Sequence, residues 1–121
     1  MIFVVGGIAS GKRTYVRSLG YTDEQMSTDV RSSSPVLLRL EDVLQTGVPS
    51  DEDLARICAK DVIACAEVGM GVVPMDPAER AWREAVGRIC AMLATRATKV
   101  VRMVCGIPVV IKEESQCPAS R

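Results

Sequence analysis

Histidine is absent from the sequence, aromatic residues make up only 3% of it, and neither sign of charge is in excess. Each absence excludes something. Five cysteines (Cys58, Cys65, Cys90, Cys105, Cys117) are irregularly spaced and form no Cys-x-x-Cys pair. With no histidine to join them, the ligand spacing of a structural zinc site is missing. Most of these cysteines lie in apolar stretches, where the residue behaves as a small hydrophobe. Fifteen Lys+Arg balance fifteen Asp+Glu, and no cationic run is interleaved with aromatics, so the expectation is no nucleic-acid surface. No apolar run reaches membrane-spanning length, and Met1–Val5 is too short for a signal peptide. The default is a cytoplasmic, reduced protein without membrane insertion. Its core must come from Val, Ile, Leu, Met, Ala and Cys. A hydrophobic fraction of 48% in 121 residues suffices for one such core, hence one domain.

What is present is an α/β pattern. Ile2–Val5 is apolar at every position, as a strand covered on both faces must be. Gly6 and Gly7 break it, and residues 12–19 then form a short helix ended by Gly20. Thr22 with Gln25 makes a capping box, and the serine-rich stretch 27–35 reads as a loop. Residues 36–44 are ambiguous between strand and helix, with the spacing of Leu37, Leu40, Val43 and Leu44 favouring helix. Ser50 caps a helix that buries Leu54, Ile57 and Cys58, and 62–66 is a second apolar strand ended by Glu67. Asp76 and Pro77 start a helix that runs to about Thr95 with Trp82, Val86, Ile89 and Leu93 on one face. Gly87 within it reads as a point of close packing on the sheet. A strand over 100–105, a turn at Gly106–Pro108 and an edge strand over 109–112 complete the domain, Pro108 lacking a ladder donor. Strands alternating with helices predict a mostly parallel sheet with a C-terminal β-hairpin edge.

The chemistry concentrates in residues 6–14, Gly-Gly-Ile-Ala-Ser-Gly-Lys-Arg-Thr. This is the phosphate-binding pattern G-x-x-x-x-G-K-[ST] with Arg13 in the final position, and it falls where the motif has a mechanism, between a strand and a helix. Backbone N–H groups of Gly6, Gly7, Ile8, Ala9, Ser10 and Gly11 can converge on an anion, and Lys12 sets a point charge against the β/γ-phosphates of ATP or GTP. The expectation is a single nucleotide-binding domain over residues 1–112 with 113–121 as a flexible tail. The usual hydroxyl at position 13 coordinates Mg²⁺, and arginine repels a metal. Thr14 supplies a hydroxyl one residue late. Two outcomes stay open: Arg13 contacts phosphate directly, or Mg²⁺ is held through Glu67 and water. Glu67 ends an apolar strand, where an open α/β sheet lines its ligand crevice. It is thus the candidate acid for the metal or an acceptor hydroxyl if its strand neighbours the first. Lys12, Glu67 and Arg13 are the candidate catalytic groups.

The opening residues 1–12, with Glu67–Pro74, Ala78–Ile89 and Val100–Lys112, resemble the adenosylcobinamide kinase / adenosylcobinamide-phosphate guanylyltransferase family of cobalamin biosynthesis. Gly6, Gly7, Ser10, Gly11 and Lys12 match its first motif. Glu67, Val68, Gly69, Gly71, Val73 and Pro74 match its more specific second motif, and Arg80, Trp82, Arg83 and Gly87 fall on its helix positions. The resemblance implies a P-loop NTPase-like three-layer α/β sandwich that binds nucleotide, assembly as a trimer, and a small-molecule corrinoid whose hydroxyl is phosphorylated from ATP or GTP. In the family, GMP is then transferred through a histidine-bound intermediate. This chain departs by its short middle, by Arg13 and by having no histidine. A guanylyl group carried as a phosphoramidate needs an imidazole nitrogen, so the second activity is not expected.

Overall fold

The computed structural model describes residues 1–7, 10–67 and 76–114. Its six strands are β1 (Ile2–Gly6), β2 (Met26–Ser27), β3 (Val36–Leu37), β4 (Val62–Ala66), β5 (Lys99–Val104) and β6 (Ile107–Glu113). They form one sheet in the order β2-β3-β4-β1-β5-β6. Every pairing is parallel except β5 with β6. The expected mixed α/β fold with a C-terminal antiparallel hairpin is what the chain adopts.

Alternation along the central strands divides the core between two faces, as side chains one residue apart must. Phe3, Ile63, Cys65 and Val100 face one way and pack with Leu37, Leu40, Leu44, Ile57, Val86 and Leu93. Leu37 belongs to β3, and the other partners lie on α2 (Leu40–Val43), the following 3₁₀ turn (Leu44–Thr46), α3 (Asp51–Cys58) and α4 (Pro77–Arg96). Val4, Val62, Ala64, Val101 and Met103 face the other way, against Val16 of α1 (Lys12–Ser18). On the first face the Cys90 thiol lies 3.6 Å from that of Cys65. Its hydrogen bond, with burial, pushes the Cys65 thiol up and keeps it protonated.

Local signals set the helix ends. Gly20 follows α1 at φ +103°, and the Thr22–Gln25 capping box forms. Ser50 Oγ accepts the Asp53 N–H at 3.1 Å. Asp76 caps α4 by accepting the Ala78 N–H at 3.0 Å. At the far end of α4, Lys112 of β6 donates to the carbonyls of Ala94 and Thr95 at 3.1 and 2.9 Å. A cation there complements the negative end of the helix.

Several expectations are corrected. Residues 36–44 are neither strand nor helix throughout: β3 stops at Leu37, Arg39 turns the chain at φ 59°, and α2 begins at Leu40. The serine stretch opens with β2, and its loop is pinned by buried Lys60, which donates to the carbonyls of Ser32 and Ser34 at 2.6 and 2.7 Å. The hairpin turns at Cys105–Gly106, both at positive φ, so Ile107 and Pro108 already belong to β6. That is the backbone hand which a two-residue hairpin favours. Glu113 ends β6 and Glu114 N–H donates to the Thr98 carbonyl at 2.8 Å; residues 115–121 lie outside the described residues.

Gly87 does not pack closely on the sheet. It is exposed, and a β-carbon built on it meets nothing within 4 Å. With no contact to lose, Gly87→Ala is expected to stabilise the protein by about 0.5–1 kcal/mol through helix propensity alone. A thermal melt checks this, and a lower midpoint in the variant contradicts an open site.

Candidate functional site

Parallel strands present their C-terminal ends together, and the loops leaving them enclose whatever lies above. Here β1 leads into residues 7–11 and β3 into the turn Leu38–Arg39, with β4 between them. Toward its C-terminal end β4 carries Ala64 on that face, so the floor between the two loops stays low. A cleft of about 390 Å³ results, lined by Ser10, Gly11, Lys12, Arg13 and Thr14 on one wall and Leu38, Arg39 and Glu41 on the other, with Ala64 beneath.

The loop wall is held by close approach. A β-carbon at Gly6 would overlap the Ser10 hydroxyl and lie 3.0 Å from Met103, so only glycine lets the loop fold back over β1. Gly11 sits at φ +94°, and a β-carbon there would stand 3.3 Å from the Gly106 Cα. The β5–β6 turn reaches over to this point, and Gly106 N–H donates to the Ser10 carbonyl at 3.1 Å. The Lys12 ammonium donates to the carbonyls of Gly7 and Gly6 at 2.7 and 3.1 Å, with the Ser10 hydroxyl at 3.5 Å. No carboxylate among the described residues pairs with it. Arg13 and Thr14 are exposed beside it. Gly7 is exposed with open space around it, and Ile8 and Ala9 lie outside the described residues.

The facing wall was not foreseen. Arg39 lines it from its left-handed turn and pairs with Asp42 at 2.8 Å, both side chains largely exposed. Glu41 Oε1 accepts the Ala66 N–H at 2.9 Å, and the Glu41 carbonyl accepts the Trp82 indole N–H at 2.8 Å. Trp82 thereby fixes the turn that carries both residues. The signal for this wall was the strand end: a reading of 36–37 as strand would have placed Leu38–Glu41 at the crevice.

Glu67 follows β4, which does neighbour β1, with Ala66 in register with Gly6. Its N–H donates to the Gly6 carbonyl at 2.9 Å. Its carboxylate is engaged on both oxygens by Arg102, Nε at 2.7 Å and Nη2 at 3.2 Å. The hydrogen bonds and charge of Glu67 hold the Arg102 guanidinium above its ordinary value. Arg102 was also missed: it lies 35 residues away, where no local pattern connects the two.

Of the two residues expected to hold magnesium, Glu67 is engaged by Arg102 and Thr14 lines the cleft wall beside Lys12 and Arg13. The cleft's one carboxylate already accepts a backbone N–H. No cluster of three or more His, Cys, Asp or Glu that could hold a metal occurs among the described residues. No helix among them is long and apolar enough to cross a membrane.

The fold and cleft define a mixed α/β protein with a cationic pocket at the carboxyl ends of its parallel strands. Residues 41–111, more than half of the chain, match the family described as CobU, cobinamide kinase / cobinamide phosphate guanyltransferase, and the chain belongs to that family. The match takes in Glu41, β4, Glu67, α4 and the hairpin; the glycine loop precedes it. No curated protein matches the chain. Membership ties the chain to cobalamin biosynthesis and to a nucleotide-associated function.

Glu41 is expected to be structural as well as cleft-lining. Glu41→Ala leaves the Ala66 N–H without its partner and should cost about 1–3 kcal/mol. Glu41→Gln, whose amide oxygen still accepts, should cost less. Urea unfolding of both variants measures the difference.

Proposed function

We propose that the chain is a P-loop-type nucleotide-binding domain that holds the phosphates of ATP or GTP against residues 6–14 and acts as a small kinase. The acceptor is a hydroxyl of adenosylcobinamide or a related corrinoid. The observation that carries the reading is the Lys12 ammonium, held over the cleft by carbonyls and a hydroxyl and paired with no carboxylate among the described residues. A cation so placed gains most from an anionic ligand. Family membership supports the nucleotide and the corrinoid pathway.

In the proposed reaction the acceptor oxygen bonds to the γ-phosphorus while the bond to the β,γ-bridging oxygen breaks. The nucleoside diphosphate leaves, and the hydroxyl proton passes to a base. Catalysis of this kind is mostly positioning and charge stabilisation. Lys12 and Arg13 supply charge on the loop wall, and Glu41 lines the opposite wall as the carboxylate nearest to hand. Glu67 can take part only once Arg102 releases it. No step is assigned to Mg²⁺ on Glu67 and Thr14. Guanylyl transfer is not part of the proposal, because the chain has no histidine to carry GMP. Self-association, implied by the resemblance, is compatible with the exposed Ile107, Val109, Val110 and Ile111 of β6.

The Glu67–Arg102 pair favours a second reading, a nucleotide- or phosphate-binding homologue that acts with a corrinoid-pathway partner and does not turn over. Calorimetry with ATP and GTP tests binding, and Lys12→Ala is expected to weaken it about 10- to 100-fold. Unchanged affinity in that variant removes the loop from the site. Formation of ADP or GDP only in the presence of adenosylcobinamide selects the kinase; binding without either product selects the second reading. Incubation with GTP labelled at the α-phosphate is expected to leave no covalent guanylyl adduct on the protein.

A further inference from the structure

Arg13 stands where the phosphate-loop pattern has its magnesium-binding hydroxyl, which raises the question of what offsets the charge of a bound triphosphate. The cleft contains its own answer. Lys12 and Arg13 line one wall and Arg39 the other, against one carboxylate, Glu41, that is hydrogen-bonded to the Ala66 N–H. The two guanidinium groups stand on different elements, the first turn of α1 and the β3–α2 turn. Guanidinium presents a planar fork of N–H donors that matches two phosphate oxygens at once.

Arg39 bears a second mark. Its backbone is in the left-handed region at φ 59° and ψ 50°, which a long side chain rarely adopts. Strain of this kind clusters at ligand clamps. The turn that imposes it is anchored from both sides, by Glu41 on β4 and by Trp82 of α4. Its ion pair with Asp42 is exposed, of a sort that contributes little and exchanges readily.

We propose that the cleft binds its nucleoside triphosphate free of divalent metal, with Arg13 and Arg39 closing on the phosphates from opposite walls in place of the ion. The proposal rests on the nucleotide-binding reading and specifies the ligand as the metal-free, fully charged form. A metal-complexed nucleotide carries two fewer negative charges and meets the same cations less favourably.

The test is calorimetry of the full chain with ATP and GTP, in buffer containing EDTA and in buffer with excess Mg²⁺. Affinity in EDTA is expected to equal or exceed that with Mg²⁺. In EDTA, Arg13→Ala and Arg39→Gly should each weaken binding about tenfold, the loss of a charged phosphate contact. Glycine suits the φ of position 39, so that variant is expected to melt no lower than the native protein and its loss of affinity is not a loss of fold. Binding that appears only with Mg²⁺ overturns the inference and leaves the nucleotide-binding reading standing. Native affinity in both arginine variants overturns it as well. No binding of either nucleotide in either buffer removes the nucleotide-binding reading itself, and the inference with it.

Discussion

At Gly6 the chain has no room for a β-carbon: Ser10 folds back over the end of β1 on one side and Met103 of β5 presses from the other. The geometry of the site follows from that close approach. Because the loop returns over its own strand, the carbonyls of Gly6 and Gly7 are turned toward Lys12 and hold its ammonium. The same register that sets Gly6 beside Met103 sets it beside Ala66, whose N–H goes to Glu41. One small residue thus fixes the position of both walls.

Electrostatics then divides the carboxylates from the cations. Glu67 and Glu41, the acids nearest the ends of the central strands, are engaged with Arg102 and a backbone amide. Lys12 and Arg13 have no carboxylate partner of that kind among the described residues. A site in which the acids are occupied and the cations are available favours an anionic ligand. The family's two reactions place different demands on such a site. Under the proposed reading the charges and amides of the cleft serve phosphate recognition, and the sequence contains no imidazole.

The sequence was most legible where one short stretch carries its own signal. The apolar run of β1, Gly20 after α1, Ser50 before α3 and Asp76-Pro77 before α4 each decide a local conformation by themselves, and each element stands where it was expected. The strands β2 and β3 were not legible. Two residues are too few to show alternation, and Val36–Leu37 is a strand because it pairs with Val62–Ile63. The left-handed turn at Arg39 separates it from α2, and nothing about an arginine announces that conformation. The facing wall of the cleft was missed with it. Gly87 was misread for the converse reason: a helical glycine marks close packing only when something lies opposite, and nothing does. The Glu67–Arg102 pair joins two strands that flank β1 and so depends on sheet order, which no single segment encodes.

The hairpin turn has a mechanical consequence. Gly106 is bonded to the Ser10 carbonyl and abuts Gly11, while β6 is tied to the end of α4 through Lys112. Strand β6 therefore works as a lever whose short arm rests on the loop and whose long arm lies in the open, its Ile107, Val109, Val110 and Ile111 exposed. Anything that rests on that outer strand therefore rests on an element bonded directly to Ser10 at the cleft.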